Sequence, residues 1–350
     1  MKRAVIISTG SYLPENHVHN ENLDQFPKTS KFIISQKTGV FSRRSASEEE
    51  CTSDLAIKAG RRCIEKAGIS PEEIEGIVVS TSSPDRMQPA TATRVQHGLG
   101  ACHAFAFDIN SVCSGSTYGI ALANSFIRSG QCSNILFIAS EVYSKILNKK
   151  DFGTYPFFGD GAGAVFFKSS DSKSSEPDHA DPDHADPDQS SLSQPDSGRG
   201  ILCSCLRTDG SGSNTICVPG GGTMMPFEKM KNPNLAYFKM KGKDVFKFAV
   251  EKGAEIITQI IEESDISLDR IKCFICHQAN INIIHTIAEK LDVSTDLFFI
   301  NLFRYGNTAS ASVLIALDEA ICSEFVKKND LAITVAFGGG LSWGANLIRI

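Results

Sequence analysis

Three side chains that lie far apart in the sequence carry the chemistry of an acyl-transfer site. Cys113 follows the apolar run 105–109 and precedes a helix of small residues. A thiol at a helix N-terminus meets unpaired backbone N–H groups and the positive end of the helix dipole, which favour the nucleophilic thiolate. His277 and Asn307, in the second half of the chain, supply a base and an amide donor. The sequence therefore predicts a thiol acyl-transfer enzyme whose Cys113 has a lowered pKa.

Such an enzyme also needs hydrogen-bond donors for the oxyanion of its tetrahedral intermediates. The backbone N–H of Cys113 can supply one donor. The second can come from the glycine run 338–340, because glycine lets a backbone approach closely, and we assign it to Gly339.

Each of these residues also has an ordinary structural explanation. Any of the eleven cysteines can be a small buried hydrophobe, and Asn307 can be a helix N-cap.

A more specific alternative is haem attachment, because residues 273–277 read Cys-x-x-Cys-His. We reject it because the two thiols flank apolar residues of a predicted core strand and because the short N-terminal apolar run predicts no export signal. A zinc site at this spacing would need a second half, for which Cys203 and Cys205 are too close in sequence, so we predict no metal.

Length and composition narrow the class of protein. A chain of 350 residues with 41% hydrophobic residues suggests two similar-sized units with packed cores. A formal net charge of -5 argues against a nucleic-acid partner, and the sequence has no uninterrupted apolar run of roughly 18 residues that would span a membrane. The odd number of cysteines, without regular spacing, favours a reducing cytoplasm.

Predicted strands and helices alternate in both halves, which indicates mixed α/β layers. The order of strand, glycine-rich segment and strand recurs near the end of each half, so we infer an internal duplication. The predicted strands are 74–81, 104–108, 134–140, 162–168, 273–276, 331–336 and 344–350. The predicted helices are the one after Cys113 and residues 53–67, 91–99, 244–263 and 308–322, so that Asn307 opens the last helix.

Two further segments have weaker signals. Residues 169–199, dense in Ser, Asp and Pro, predict a disordered insert between an N-terminal half (1–168) and a C-terminal half (200–350). His179 and His184 of this insert could bind a metal ion, but the composition favours a solvated loop. The run 159–163 lacks the spacing of a nucleotide-binding loop, and we interpret it as a tight turn.

Six segments, in a common order, make the chain resemble the β-ketoacyl-[acyl-carrier-protein] synthase III family of the thiolase superfamily. The resemblance covers nearly the whole chain apart from the insert. The six segments are Asp108–Ser114, Phe158–Ala164, Lys239–Phe246, His277–Asn280, Tyr305–Thr308 and Phe337–Gly344.

The resemblance implies a fold class and a reaction. The fold is a duplicated, thiolase-like α/β fold with five layers, α-β-α-β-α, assembled as a homodimer. In the implied ping-pong reaction, Cys113 takes an acyl group from a thioester. His277 and Asn307 then stabilise the enolate formed as malonyl-[acyl-carrier-protein] loses carbon dioxide, and the product is a 3-oxoacyl thioester of fatty acid or related secondary-metabolite biosynthesis. Acyl carrier protein is the implied partner, and no cofactor is needed beyond coenzyme A or carrier-protein thioesters as substrates.

The resemblance also implies substrate-binding positions, several of which depart from the family pattern. In the family a Trp-Ile-x-x-Arg-Thr-Gly segment grips the adenine of coenzyme A, whereas residues 33–39 here lack the tryptophan and have lysine in place of the arginine. Lysine can hold a phosphate as a point charge but not as a planar fork. We therefore expect an acyl donor other than plain acetyl-CoA. The substrate-binding positions are Lys37, Gln88 (capping the partner subunit's acyl pocket), Phe152 (in place of a second adenine-packing arginine), Phe337 and Asn280, with Asn282 where an arginine commonly meets the carrier protein.

Two alternatives stay open at this stage. The first keeps the acyl-cysteine but transfers the acyl group to an alcohol or amine without condensation. An intact Asn307 favours condensation, because a decarboxylating enolate needs that amide. The second is a non-catalytic partner with the same fold, which the complete Cys-His-Asn set disfavours.

Overall fold

The computed structural model describes residues 2–170 and 198–350, so most of the predicted insert, with His179 and His184, lies outside the described residues. The strands of these two ranges are β1 (Ala4–Tyr12), β2 (Asn16–His19), β3 (Ser42–Ser45), β4 (Gly76–Ser80), β5 (Phe105–Ile109), β6 (Asn134–Glu141), β7 (Gly161–Ser169), β8 (Gly200–Thr208), β9 (Ile216–Cys217), β10 (Lys239–Met240), β11 (Ile271–Cys276), β12 (Leu331–Gly338) and β13 (Ser342–Arg349). The helices are α1 (Lys28–Thr38), α2 (Thr52–Ala67), α3 (Thr91–Leu99), α4 (Gly115–Ser129), α5 (Gly242–Ser264), α6 (Ile281–Lys290), α7 (Leu302–Tyr305) and α8 (Ala311–Cys322).

Two large sheets repeat one pairing pattern, which confirms the predicted duplication. The first has the order β1-β7-β6-β4-β5, and the second has the order β11-β12-β13-β8. In both, a parallel pair (β4 with β6, β11 with β12) is followed by two antiparallel pairs. A parallel bridge between Phe274 and Phe298 lies where β5 pairs with β4 in the first sheet.

The helices form three layers around the two sheets. Helices α4 and α8 lie between the sheets, since α4 packs on both β6 and β13 and α8 packs on both β7 and β11. Helix α2 packs on β1, β6 and β7, and α5 packs on β8, β12 and β13. The central helices are suited to this position: α8 is apolar around most of its circumference, and a side chain at Gly119 of α4 would collide with Phe137. The result is the predicted five-layer α-β-α-β-α arrangement.

Most predicted elements are present with small shifts at their ends, and two predictions are wrong. Helix α8 begins at Ala311 rather than at residue 308, because Ala309 has a left-handed φ of 46° that no regular helix accommodates. The run 159–163 is not a tight turn. Its last three residues belong to β7, and the two before them are held by Gly159 N–H donating to Asn307 O and Asp160 N–H donating to Arg44 O.

Two other observations bear on excluded functions. Cys273 and Cys276 are fully buried in β11, which agrees with the rejection of the haem-attachment pattern. Within the described ranges, the helices are too short or too polar to cross a membrane.

Candidate active site

Cys113 lies in a strained turn between β5 and α4. The turn is a single 3₁₀ turn, Val112–Ser114, and Val112 has a φ of 46°. Such a φ is unfavourable for a β-branched residue, so the surrounding structure must impose it. The Asn110 side chain contributes, because its Oδ1 accepts a hydrogen bond from Val112 N at 3.2 Å. The turn holds the Cys113 side chain at the start of α4, where it is 5% exposed.

The second half of the chain repeats this turn before α8. Asn307 Oδ1 accepts a hydrogen bond from Ala309 N at 2.8 Å, and Ala309 has the same φ of 46°. The structural counterpart of Cys113 is therefore Ser310, and Asn307 corresponds to Asn110. The prediction that Asn307 opens the helix is wrong, since it lies four residues before α8. The bond at Oδ1 fixes the amide plane of Asn307 and leaves its Nδ2–H₂ group without an acceptor among the described residues.

The segments that carry Cys113, His277 and Asn307 meet in the interior. Cys113 belongs to a buried cluster that includes Phe158 and Ala309. Asn307 is joined to the strand of Phe158, because its N–H donates to Phe157 O at 2.8 Å and its O accepts from Gly159 N at 3.0 Å. His277 and Asn307 are 2% and 7% exposed, respectively.

The link from His277 to Cys113 runs along β12. The His277 N–H donates to Val335 O at 2.7 Å, and its ring packs edge-on against Phe337, with 5.6 Å between ring centroids. The next residue, Gly338, lies directly against the nucleophile, since a Cβ there would be 2.8 Å from Cys113 N and 2.9 Å from Cys113 Cβ. Glycine is required at 338 for this close approach.

Ser312 determines what His277 can do. Ser312 Oγ accepts the Gln278 N–H at 3.3 Å and lies 2.6 Å from His277 Nδ1. The Ser312 hydroxyl has no other acceptor among the described residues, so its proton points to Nδ1 and the ring proton of His277 resides on Nε2. Burial lowers the pKa of His277 to about 3. His277 is therefore a neutral imidazole that donates from Nε2.

The electrostatics at Cys113 contradict the predicted pKa. Burial, followed by the nearby Glu141 carboxylate, raises the pKa of the Cys113 thiol above its ordinary value, and only its own backbone N–H acts in the other direction. The sequence indicated the helix N-terminus correctly but not the degree of desolvation, which disfavours the thiolate more strongly. The resting nucleophile is a protonated thiol.

Two backbone amides beside the thiol are free to bind an oxyanion. Among the described residues, nothing accepts a backbone hydrogen bond from the N–H of Cys113 or from that of Gly339, although both residues are buried. Gly339 is packed between Val112 and Ile216, which a Cβ at 339 would approach to 3.1 and 3.4 Å. Buried unpaired N–H groups are rare in folded proteins and costly when they have no ligand.

The predicted substrate-binding residues differ in burial and lie on different segments of the chain. Phe337 is buried beside the His277 ring. Lys37 is exposed at the end of α1, and Asn280 caps the neighbouring α6, with its Oδ1 accepting from Asn282 N at 2.9 Å. Phe152 is half-buried, and Gln88 is exposed in the loop between β4 and α3.

The exposed Asn282 makes a side-chain hydrogen bond within the chain. Its Nδ2 donates to Lys37 O at 2.8 Å and thereby joins α6 to α1.

Several functional neighbours were missed by sequence reasoning. The buried Glu141 accepts hydrogen bonds from Ser83 Oγ (2.6 Å) and Ser310 Oγ (2.7 Å), and burial raises its pKa. Tyr143 stacks on Phe158, with 4.9 Å between ring centroids, and both rings belong to the cluster of Cys113. Glu141 could have been found as a charged residue directly after an apolar strand. The role of Ser312 has no sequence signal, because it depends on the position of the His277 ring.

Comparison with known proteins agrees with this architecture. The family model for 3-oxoacyl-[acyl-carrier-protein (ACP)] synthase III matches residues 107–180, and the model for the C-terminal part of the same synthase matches residues 261–350. The β-ketoacyl-[acyl-carrier-protein] synthase III of Clostridium perfringens strain SM101 is 40% identical over 350 residues, which is 100% of both chains. The synthase of the same name from Caldanaerobacter subterraneus subsp. tengcongensis is 40% identical, over 99% of this chain and 97% of the relative.

The crystal structure of 3-oxoacyl-[acyl-carrier-protein] synthase III from Aquifex aeolicus VF5 has a TM-score of 0.84 and 35% identity, over 99% of this chain and 100% of that chain. Similarity of this extent in both sequence and fold, together with the duplicated sheets and the buried cysteine turn, shows that the chain is an enzyme of the β-ketoacyl-[acyl-carrier-protein] synthase III family.

Proposed function

We propose that this protein condenses an acyl thioester with malonyl-[acyl-carrier-protein] to give a 3-oxoacyl thioester and carbon dioxide in fatty acid biosynthesis. Cys113 is the nucleophile, and His277 and Asn307 are the donors to the enolate. The arrangement of the site is the main support for the proposal. A buried thiol lies beside two unpaired backbone amides. Neutral His277 and the free Asn307 amide are held on neighbouring segments.

The first half-reaction moves the acyl group onto Cys113. The sulfur adds to the thioester carbonyl, and the oxyanion that develops is stabilised by the N–H groups of Cys113 and Gly339. The carbon–sulfur bond of the donor then breaks, and the proton of the Cys113 thiol passes to the departing thiol. Proton count and charge are unchanged by this exchange, which suits a site whose resting thiol is protonated.

The second half-reaction forms the carbon–carbon bond. Loss of carbon dioxide from the malonyl thioester places negative charge on the thioester oxygen, and His277 Nε2–H and Asn307 Nδ2–H donate to it. The enolate carbon attacks the acyl-cysteine carbonyl and the cysteine sulfur departs, taking up one proton. The product is the 3-oxoacyl-[acyl-carrier-protein].

This assignment keeps the predicted role of His277 as a donor to the enolate and does not use it as a base. A ring whose Nδ1 already accepts from Ser312 and whose Nε2 carries the proton has no lone pair for the thiol. Neutrality suits decarboxylation, because an imidazolium would have to be desolvated at this buried position. Asn307 complements it as a donor that no pH change can deprotonate.

We further propose that the acyl donor is not plain acetyl-CoA. The Phe152 ring packs edge-on against Phe26 and Phe157, with centroids 5.2 and 6.2 Å apart, so it is engaged within the protein rather than free to stack on adenine. Lys37 offers a single point charge on an exposed surface. These features favour a carrier-protein thioester, whose recognition does not depend on an adenine ring.

The same proposal includes a homodimer and a division of labour between the halves. β5 is an edge strand which, in the described part of the chain, pairs only with β4. Phe105 and Phe107 on this strand are incompletely buried, and an apolar edge of this kind favours pairing with a second copy. The N-terminal half (1–168) contributes the nucleophile, and the C-terminal half (200–350) contributes His277 and Asn307. Acyl carrier protein is the partner, and thioesters serve without a further cofactor.

We place the enzyme in the cytoplasm. All eleven cysteines are free, which is the usual state in a reducing compartment.

Intact-mass spectrometry with a panel of acyl thioesters tests this function. Incubation with the correct donor should add the mass of one acyl group per chain, and the carrier-protein thioester should label faster than acetyl-CoA. The Cys113→Ala variant should form no adduct, whereas the matched Cys102→Ala variant, which removes an exposed thiol, should label like the wild type. An adduct that survives in Cys113→Ala would place the nucleophile elsewhere, and rapid saturation by acetyl-CoA would refute the donor proposal.

A further inference from the structure

Two cysteines and a glutamate lie together outside the active site, on the face of the second sheet that α5 covers. Cys203 and Cys205 alternate with Ser204 along β8, so their side chains leave the strand on the same side. Glu263 lies in the last turn of α5. One ligand atom from each of the three residues lies within 4.8 Å of the others, and in the described ranges no other trio of His, Cys, Asp or Glu residues meets this criterion. The sequence alone predicts no metal, but the fold adds Glu263 to the two cysteines, and we propose that Cys203, Cys205 and Glu263 bind one Zn²⁺ ion, with water as the fourth ligand.

The distances within the cluster suit a tetrahedral zinc ion. Zinc binds cysteine sulfur at about 2.3 Å and carboxylate oxygen at about 2.0–2.2 Å, which places neighbouring ligand atoms roughly 3.5–3.8 Å apart. Cys205 Sγ already donates to Glu263 Oε2 at 3.0 Å. Movements of about 1 Å by the three side chains would therefore complete the site, and such shifts need no change in the backbone of β8.

A disulfide between the two cysteines fits this strand poorly. Residues two apart in a strand have Cα atoms separated by roughly 6.6 Å. That separation is at the upper limit for a disulfide, and the strand would have to distort to close it. Two thiolates on one face of a strand can instead coordinate a single ion that lies between them.

The end of α5 also favours a cation. The C-terminus of a helix carries a partial negative charge, and the last turn of α5 holds Glu262 and Glu263 with no basic residue. Glu263 Oε1 is held by Gln259 Nε2 at 2.6 Å and lies 3.8 Å from Arg207 Nη2. These contacts orient the carboxylate so that Oε2 faces Cys205 and is available as a ligand.

The three side chains of the cluster differ in their exposure to solvent. Cys205 is 2% exposed, Cys203 is half-buried and Glu263 is exposed. An ion can therefore enter from the solvent side and have one face of apolar protein behind it. Each thiol would release its proton to solvent on binding, because cysteine coordinates zinc as the thiolate. The bound ion would fasten the C-terminal end of α5 to the edge strand β8.

Titration of the full-length, reduced and chelator-treated protein with Co²⁺ tests the site. Cobalt bound by thiolates gives a sulfur-to-metal charge-transfer band in the near ultraviolet, and one equivalent should saturate it. Zn²⁺ should then displace the cobalt and remove the band. Zn²⁺ should also raise the melting temperature of the wild type.

Variants separate this cluster from the other cysteines. Cys205→Ser should abolish the band and the thermal shift, and Glu263→Gln should weaken binding at least tenfold. The matched control Cys102→Ser should behave as the wild type. The proposal is overturned if no band forms, if the band is unchanged in Cys205→Ser, or if binding persists in a Cys203→Ser/Cys205→Ser double variant.

Discussion

Acidification should destabilise the folded protein through the buried His277. Burial lowers its pKa from 6.5 to about 3. As the pH falls below 6.5, the unfolded chain takes up a proton that the folded chain refuses until about pH 3, so stability is lost progressively across that window. Between pH 7 and pH 5, this one group should lower the free energy of unfolding by about 2 kcal/mol.

Other buried groups also titrate, so the contribution of His277 is measured by comparison with variants. For each protein, the free energy of unfolding lost between pH 7 and pH 5 is determined, and these losses are then compared. The free energy of unfolding is measured by denaturant titration at pH 7 and pH 5 for the wild type, for His277→Gln and for His285→Gln. His285 is exposed on α6 and is the matched control. The wild type and His285→Gln should lose about 2 kcal/mol more on acidification than His277→Gln, whose side chain does not titrate.

A direct reading of the ring supports the same test. In protein labelled with ¹³C at histidine Cε1, the resonance that disappears in His277→Gln should not shift between pH 8 and pH 5. If that resonance titrates near pH 6.5, or if the three proteins lose equal stability, then His277 is not a desolvated neutral donor. The enolate would then need a different hydrogen-bond donor.

Four further outcomes follow from the structure. Ser312→Ala should slow malonyl decarboxylation about tenfold, which corresponds to the energy of about one hydrogen bond, and should leave acylation of Cys113 intact. Ser312→Thr should restore the rate. An unchanged rate in Ser312→Ala would contradict the assignment of the His277 tautomer. Gly338→Ala should cost about 1–3 kcal/mol of stability by overpacking and slow acylation at least tenfold, because its Cβ would lie 2.8 Å from Cys113 N; wild-type kinetics would contradict that close approach. Iodoacetamide should label Cys113 in the resting enzyme more slowly than the exposed Cys102, since burial raises the Cys113 pKa; fast labelling would indicate a thiolate. Phe107→Lys should yield a monomer in sedimentation analysis, and a persisting dimer would place the interface away from β5.

The sequence was sufficient for the fold and for the segments that form the site. The alternation of elements predicted mixed α/β layers, and the repeated order of strand, glycine-rich segment and strand predicted the duplication, because these patterns are local properties. The five-layer arrangement was implied only by the resemblance to the synthase III family. The start of α8 was placed three residues early, since the left-handed φ of Ala309 is imposed by packing rather than by its residue type. The extended course of the segment from Phe158 likewise depends on pairing with Asn307, which is distant in the chain.

The electrostatics of the site required the folded structure. A helix N-terminus near Cys113 is visible in the sequence, but complete desolvation and the neighbouring Glu141 are not, and these reverse the sign of the predicted shift in pKa. Desolvation likewise leaves His277 the predicted role of enolate donor but not that of a base. Its partner Ser312 lies 35 residues away, and no pattern connects the two positions.

A single-turnover chase tests the central claim most directly: acylation depends on Cys113 and condensation on Asn307. Wild-type enzyme and Asn307→Ala are first loaded with the acyl donor, and malonyl-[acyl-carrier-protein] is then added while intact mass is followed. Both proteins should gain one acyl group on Cys113; the wild type should then lose it as 3-oxoacyl product forms, whereas the variant should keep it. Discharge of the variant at the wild-type rate, or loading at a residue other than Cys113, would contradict the account.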